Sequence, residues 1–134
     1  MTQNDNQSIL VEVSPGELLD KITILEIKLK KMTDASKLKN VQVELDCLNQ
    51  AKSNFINTSA EITGLMDKLR DVNQKLWDIE DDIRDHESQK QFGDSFIQLA
   101  RQVYKTNDVR AALKKEINLL LGSMIVEEKS YKDY

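Results

Sequence analysis

The chain has 134 residues, enough for one domain with its own core, and carries a net charge of −4 with a pI near 5.1. That balance excludes a general nucleic-acid binder, which needs basic surface to displace counterions. Aromatic residues make up 5% of the chain, so the core must be built from Leu, Ile and Val. No apolar run approaches the roughly 20 residues of a membrane span, and the polar start lacks the basic and apolar regions of a signal peptide. A soluble cytoplasmic protein is the expectation. The single cysteine, Cys47, has no internal disulfide partner and lies in a helical pattern, where a buried structural thiol is expected.

Residues 1–7 are rich in Asn and Gln and are expected to form a disordered tail, leaving 8–134 as a single helical domain. Ile9, Val11 and Val13 alternate, as in a short strand or an extended arm. Ser14-Pro15-Gly16-Glu17 then starts a helix, with Ser14 as N-cap, Pro15 at the first helical position and Glu17 completing a capping box. Val13 and Leu18 are spaced to staple that start. Gly16 is explained by the turn. Leu18, Ile22, Leu25, Leu29 and Met32 step by 4, 3, 4 and 3, with Ile24 and Ile27 as a second apolar edge, so this helix is buried on more than one side. Asp34 or Ser36 caps a second helix, from about Lys37 to Phe55 or Ile56, whose apolar side is Leu38, Val41, Leu45, Leu48 and Phe55. Lys28, Lys30, Lys31, Lys37 and Lys39 read as a solvated helix end.

Thr58 and Glu61 form a second capping-box pair. From there Ile62, Leu65, Leu69, Val72, Leu76, Ile79, Ile83 and His86 alternate steps of 3 and 4, the seam of bundles and coiled coils. A helix over about 59–87 is about 42 Å long. After a linker at 89–93, Asp94 or Ser95 caps a fourth helix with Phe96, Leu99, Ala100, Val103 and Tyr104 on its apolar side. Thr106-Asn107-Asp108 is another cap signal and predicts a break. A fifth helix then turns Ala112, Leu113, Ile117, Leu120 and Leu121 inward, and Gly122 is suited to end it. Met124-Ile125-Val126 reads as a second short strand, placed to pair with 9–13. The fold class is therefore all-α. The expected form is an antiparallel helical bundle with a long central helix, two C-terminal helices and short extended terminal segments.

The end of the long helix, Leu76–Glu87, holds the only Trp, the only His, and six carboxylates against Arg84. Carboxylates at a helix C-terminus meet the negative end of the dipole and cost about 0.3–1 kcal/mol each. Such a conflict calls for a partner or a task. Asp78, Asp82 and Asp85 point off the seam and read as a solvated face. Asn73, Trp77, Glu80, Arg84 and Glu87 form a stripe beside the seam, partly buried and in need of partners. Glu80 and Arg84 are placed to pair with each other. His86 and Asp82 fall short of the three protein ligands of a catalytic zinc site, so a hydrogen-bonded histidine at the core edge is expected and no metal or cofactor is assigned. A carboxylate-only magnesium site is the alternative.

Around the predicted break, Arg101, Tyr104, Asn107 and Arg110 combine arginines with a helix N-terminus, a natural anion site. The competing reading pairs these basic residues with the carboxylates of the long helix. Glu17-x-x-Asp20 has the spacing of one element of the all-α nucleoside triphosphate pyrophosphohydrolases. However, Glu80-Asp81-x-x-Arg84 lacks the third acid of the other element, and the bundle expected here puts the two about 30 Å apart.

Ser14–Lys28, Leu76–Glu87, Phe96–Arg101 with Tyr104, Asn107–Arg110, Gly122-Ser123 and Glu127–Tyr131 resemble blocks of a family of short bacterial proteins of unknown function. The resemblance covers nearly the whole chain and implies a surface-polysaccharide setting, without an activity. Two function classes follow. One is a binding or assembly module, with a homodimer or another protein as partner. The other is a small enzyme or binder of an anionic metabolite such as a nucleotide or sugar nucleotide.

Overall fold

The computed structural model describes residues 8–134, and among them the backbone forms four helices and no strand. The helices are α1 (Pro15–Lys31), α2 (Ala35–Phe55), α3 (Ala60–Ser88) and α4 (Asp94–Leu120). None is long and apolar enough to cross a membrane. The expected terminal strands do not form. Segments 9–13 and 124–126 have no regular structure, and Ile9 and Leu10 are 87% and 94% exposed. The tail at residues 1–7 lies outside the described residues.

Local chemistry sets most of the boundaries. Ser14 accepts a hydrogen bond from the Glu17 amide, and Pro15 opens α1. Lys28, Lys30 and Lys31 sit in the last turn of α1, where cations complement the dipole. Asp34 caps α2 by accepting from the Lys37 amide, and this bond, with one from the Ser36 hydroxyl, lowers the Asp34 carboxyl below its ordinary value. Ser59, rather than Thr58, caps α3 through the Ile62 amide. Helices α3 and α4 both end in Schellman motifs, closed by Gln91 N–H to His86 C=O and by Ser123 N–H to Asn118 C=O. The left-handed residue is Gly122 (φ 66°) after α4, as expected, but Lys90 (φ 54°) after α3.

The break predicted at Thr106-Asn107-Asp108 is absent, and the fourth and fifth helices are one. Leu99, Val103, Thr106, Arg110, Leu113 and Ile117 step by 4, 3, 4, 3 and 4 straight through it, and each is at least half-buried. Two of the six are polar, which hides the stripe from a hydrophobic pattern. A polar cap signal inside a helix costs about 0.5 kcal/mol per residue, far less than the packing of that stripe.

The core gathers Leu18, Leu19, Ile22 and Leu25 of α1, Val41 and Leu45 of α2, Ile62, Leu65, Met66 and Leu69 of α3, and Leu113 and Ile117 of α4. Helix α1 is packed against all three others, α3 against α1 and α4, and α2 against α1 alone. The hub is therefore the helix with apolar residues on two edges, not the longest one. The α3 seam is buried at Ile62, Leu65, Leu69 and Ile79 and opens at Val72, Leu76, Ile83 and His86. Four side chains expected inside are exposed: Phe55, Tyr104, Ala112 and Leu120. Cys47 is exposed as well, because the apolar side of α2 narrows to Val41 and Leu45 where only α1 covers it.

Candidate functional site

Opposite its core face, α1 carries a second buried stripe at Gly16, Asp20, Thr23 and Ile27, spaced 4, 3 and 4. Three of the four are not apolar, so the junction they form with α3 and α4 must be held by hydrogen bonds. Asp20 is fully buried. Its Oδ1 accepts from Asn73 Nδ2 at 2.8 Å and from Arg110 Nε at 2.9 Å, and its Oδ2 accepts from the Arg110 Nη2. The guanidinium fork thus grips one carboxylate with two bonds, from a position 90 residues away. Thr23 donates to the Asp20 carbonyl at 2.7 Å and accepts from Asn73 at 2.9 Å. Among the described residues, no buried side-chain polar atom lacks a partner. The Asp20 hydrogen bonds outweigh burial and hold the Arg110 guanidinium above its ordinary value.

One turn earlier, Lys114 Nζ donates to Glu17 at 2.6 Å and to Glu127 at 3.3 Å. Burial by itself pushes the Lys114 ammonium down. Glu17, with Asp20 and Glu127, more than reverses this and leaves it raised. The Glu17 carboxylate thereby serves the tertiary contact, while its amide serves the cap. At the helix tip the Gly16 amide donates to Asn118 Oδ1 at 2.7 Å, and a Cβ on Gly16 would stand 2.5 Å from the Lys114 carbonyl oxygen. Gly16 is therefore required for close helix approach and not only for the turn. The partners 16–118, 17–114 and 20–110 descend α4 as they ascend α1.

Two hollows flank this junction. A basin of about 240 Å³ is walled by Arg110, Lys114, Lys115 and Lys129 with Glu17, Asn107 and Glu127. A wider cleft of about 550 Å³ is walled by Trp77, Leu76, Glu80, Asp81 and Arg84 of α3, Ile24 of α1, and Asn107 and Arg110 of α4. Asn107 and Arg110 stand on both walls. A third hollow of about 350 Å³ lies between Tyr104 and the C-terminal Tyr131 and Tyr134, again with Asn107 on its edge.

Of the residues singled out in the sequence, Trp77, Glu80, Arg84, Asn107 and Arg110 thus share one cleft. Tyr104 faces the neighbouring hollow, with its ring 5.2 Å from that of Tyr134. Arg101 is exposed and bonds Gln98 on its own helix, and Glu87 is exposed at the end of α3. The expected pairing of the basic residues of α4 with the carboxylates of α3 does not occur. Arg110 goes to Asp20, Lys114 to Glu17 and Glu127, Lys115 to Glu128, and Lys105 lies over the Tyr134 ring. The reason is position: the first turns of α4 lie beside the acidic end of α3, where His86 meets Phe96, whereas Arg110 and Lys114 lie in its second half against the start of α1, and buried Asp20 has the stronger need. Arg84 pairs with Glu80 at 4.0 Å, as their spacing placed them to do, but at 79% exposure and not on the partly buried stripe expected.

His86 Nδ1 lies 2.8 Å from the Asp82 carbonyl, which only accepts, so Nδ1 carries the proton. Among the described residues no group of three or more His, Cys, Asp or Glu side chains is placed to share a metal ion. Glu17 and Asp20 do not stand at the far end from Glu80. Asp20 touches Asn73, seven residues and about 10 Å of helix rise from it. Their carboxylates are neutralised by Lys114 and Arg110. Sequence reading did not assign Asn118 or Lys129 to the site; Asn118 sits among leucines with no local signal, and Lys129 lies in an irregular tail.

Comparison with curated proteins and with solved structures finds no match. Residues 9–134 match a family described as a family of unknown function (DUF6165), and the chain belongs to that family.

Proposed function

We propose that this protein is a binding module, and that its ligand is a small anionic molecule taken up in the basin between the start of α1 and the second half of α4. One observation carries the reading: in a chain of net charge −4, four cations converge on one basin. Arg110 and Lys114 are anchored from behind by Asp20 and Glu17 of α1. The remaining anions come from the C-terminal segment, where Glu127 meets Lys114 and Glu128 meets Lys115, both largely exposed. Lys129 stacks on the Tyr131 ring at 5.6 Å. An incoming anion would displace exposed tail carboxylates and leave the helix junction intact. Binding is favoured over turnover, because Glu17 and Asp20, the carboxylates placed to act as bases, are already committed to ion pairs. Calorimetric titration with inorganic phosphate tests this. Lys115→Ala with Lys129→Ala should weaken binding, and added salt should weaken it further; an absence of binding at low salt would overturn the reading.

A second reading, self-association as a homodimer or contact with another protein, is favoured by a different observation. The antiparallel bundle proposed here covers the α3 seam with α4. It still leaves Ile9, Leu10 and Val11 open to solvent, along with Phe55 at 84% exposure. Light scattering on wild type and on a Leu10→Ser, Phe55→Ser variant tests it, with a concentration-dependent dimer lost in the variant as the supporting result.

A further inference from the structure

We infer that the Trp77 cleft is the second half of the same site, and that the ligand is a phosphate ester whose organic part is a polyhydroxylated ring. This rests on the proposed function, since the basin supplies the phosphate end. The two hollows share Asn107 and Arg110 as lining and together offer the few hundred Å³ typical of small-molecule sites. Their chemistry differs. The cleft pairs the cations Arg84 and Arg110 with the carboxylates Glu80 and Asp81, so it does not gather a second phosphate. Its apolar lining is Trp77 with Leu76 and Ile24, side chains against which a ring can stack.

Beside that surface the cleft offers two carboxylates, Glu80 and Asp81. Ionised carboxylates only accept, and they call for donors such as neighbouring hydroxyls. Glu80 is 4.0 Å from Arg84 and not firmly engaged, and Asp81 forms no ion pair among the described residues. The Asn107 amide, on the wall common to both hollows, can donate to a phosphate oxygen and accept from a hydroxyl. A sugar phosphate and a ribonucleotide share this chemistry.

The test is calorimetric titration of the full chain with inorganic phosphate, glucose 1-phosphate and uridine diphosphate. At least one ester should bind about tenfold tighter than phosphate and change Trp77 fluorescence, the gain being of the size of one stacked ring. The tighter of the two esters identifies the source. Glu80→Gln, a change at an exposed position that spares the fold, and Trp77→Ala should each reduce the ester to the affinity of phosphate and leave phosphate itself unchanged. Phosphate binding with no gain from either ester, or a gain indifferent to both variants, overturns this inference and leaves the proposed function standing. Failure of all three probes overturns both, and an ester bound through Trp77 without phosphate binding overturns the basin alone.

Discussion

Two regions of this molecule are rich in charge, and they are built on opposite terms. At the junction of α1, α3 and α4, one carboxylate is fully buried and accepts hydrogen bonds from both of the other helices, and no buried side-chain polar atom among the described residues lacks a partner. At the end of α3, six carboxylates and an arginine stand largely in water, where Arg84 reaches Glu80 and Lys31 reaches Asp78, each at 4.0 Å between exposed groups. Burial, not the density of charge, decides which region the fold depends on. A buried charge left alone costs several kcal/mol, whereas an exposed pair contributes about 0–1 kcal/mol.

The contrast is most easily broken at its strongest point. Arg110→Ala leaves the Asp20 carboxylate buried with only Asn73 beside it. The expected loss is about 3–5 kcal/mol in urea unfolding. A loss below about 1 kcal/mol would mean that water reaches Asp20 and that the junction is not sealed.

Gly16→Ala tests the same junction without touching charge. The added methyl meets backbone, the Lys114 carbonyl, and not a flexible side chain. α1 and α4 must separate, which strains the Asn118, Glu17 and Asp20 bonds together. A loss of about 1–3 kcal/mol is expected, as for overpacked cores, and thermal unfolding reads it directly.

The Lys114 pair sharpens the comparison through pH. Its folded value lies above the ordinary 10.5, because the pull of Glu17 exceeds the push of burial. A group raised on folding stabilises fully below its unfolded value, and the contribution disappears as pH rises through the folded one. Urea midpoints measured from pH 8 upward should therefore stay level and then fall above about pH 10.4. That fall should be shallower in Lys114→Met.

The smallest effect belongs to the other region. Arg84→Ala removes the one basic group from the acidic end of α3, yet the loss should be under about 0.5 kcal/mol, the scatter of ordinary surface changes. A loss above 1 kcal/mol would show that the exposed stretch is stapled after all, and the distinction drawn between the two regions would fail.

Much of this arrangement was legible in the residue pattern. Alternating 3 and 4 steps of Leu, Ile and Val, with Ser14-Pro15, Asp34 and Gly122 at their ends, determine the helices, because caps and amphipathic faces are local properties. Trp77, Glu80 and Arg84 were legible as members of a stripe beside the α3 seam, and Asn107 and Arg110 as a separate group at a helix break that does not form. On the stripe, Glu80 and Arg84 stay exposed. Asn73, on the same stripe, met its partners in Asp20 and Thr23.

What only the tertiary structure decided is who those partners are. The run Thr106-Asn107-Asp108 signals a cap locally, and the helix passes through it because Thr106 and Arg110 belong to a stripe whose apolar members lie on either side. Gly16 fits a turn by itself, and its second role exists only because α4 returns 102 residues later to within hydrogen-bonding distance. Asp20 and Arg110 are separated by 90 residues. No periodicity in a single sequence links them, since a hydrogen bond across helices depends on where whole helices cross and not on the spacing within either one.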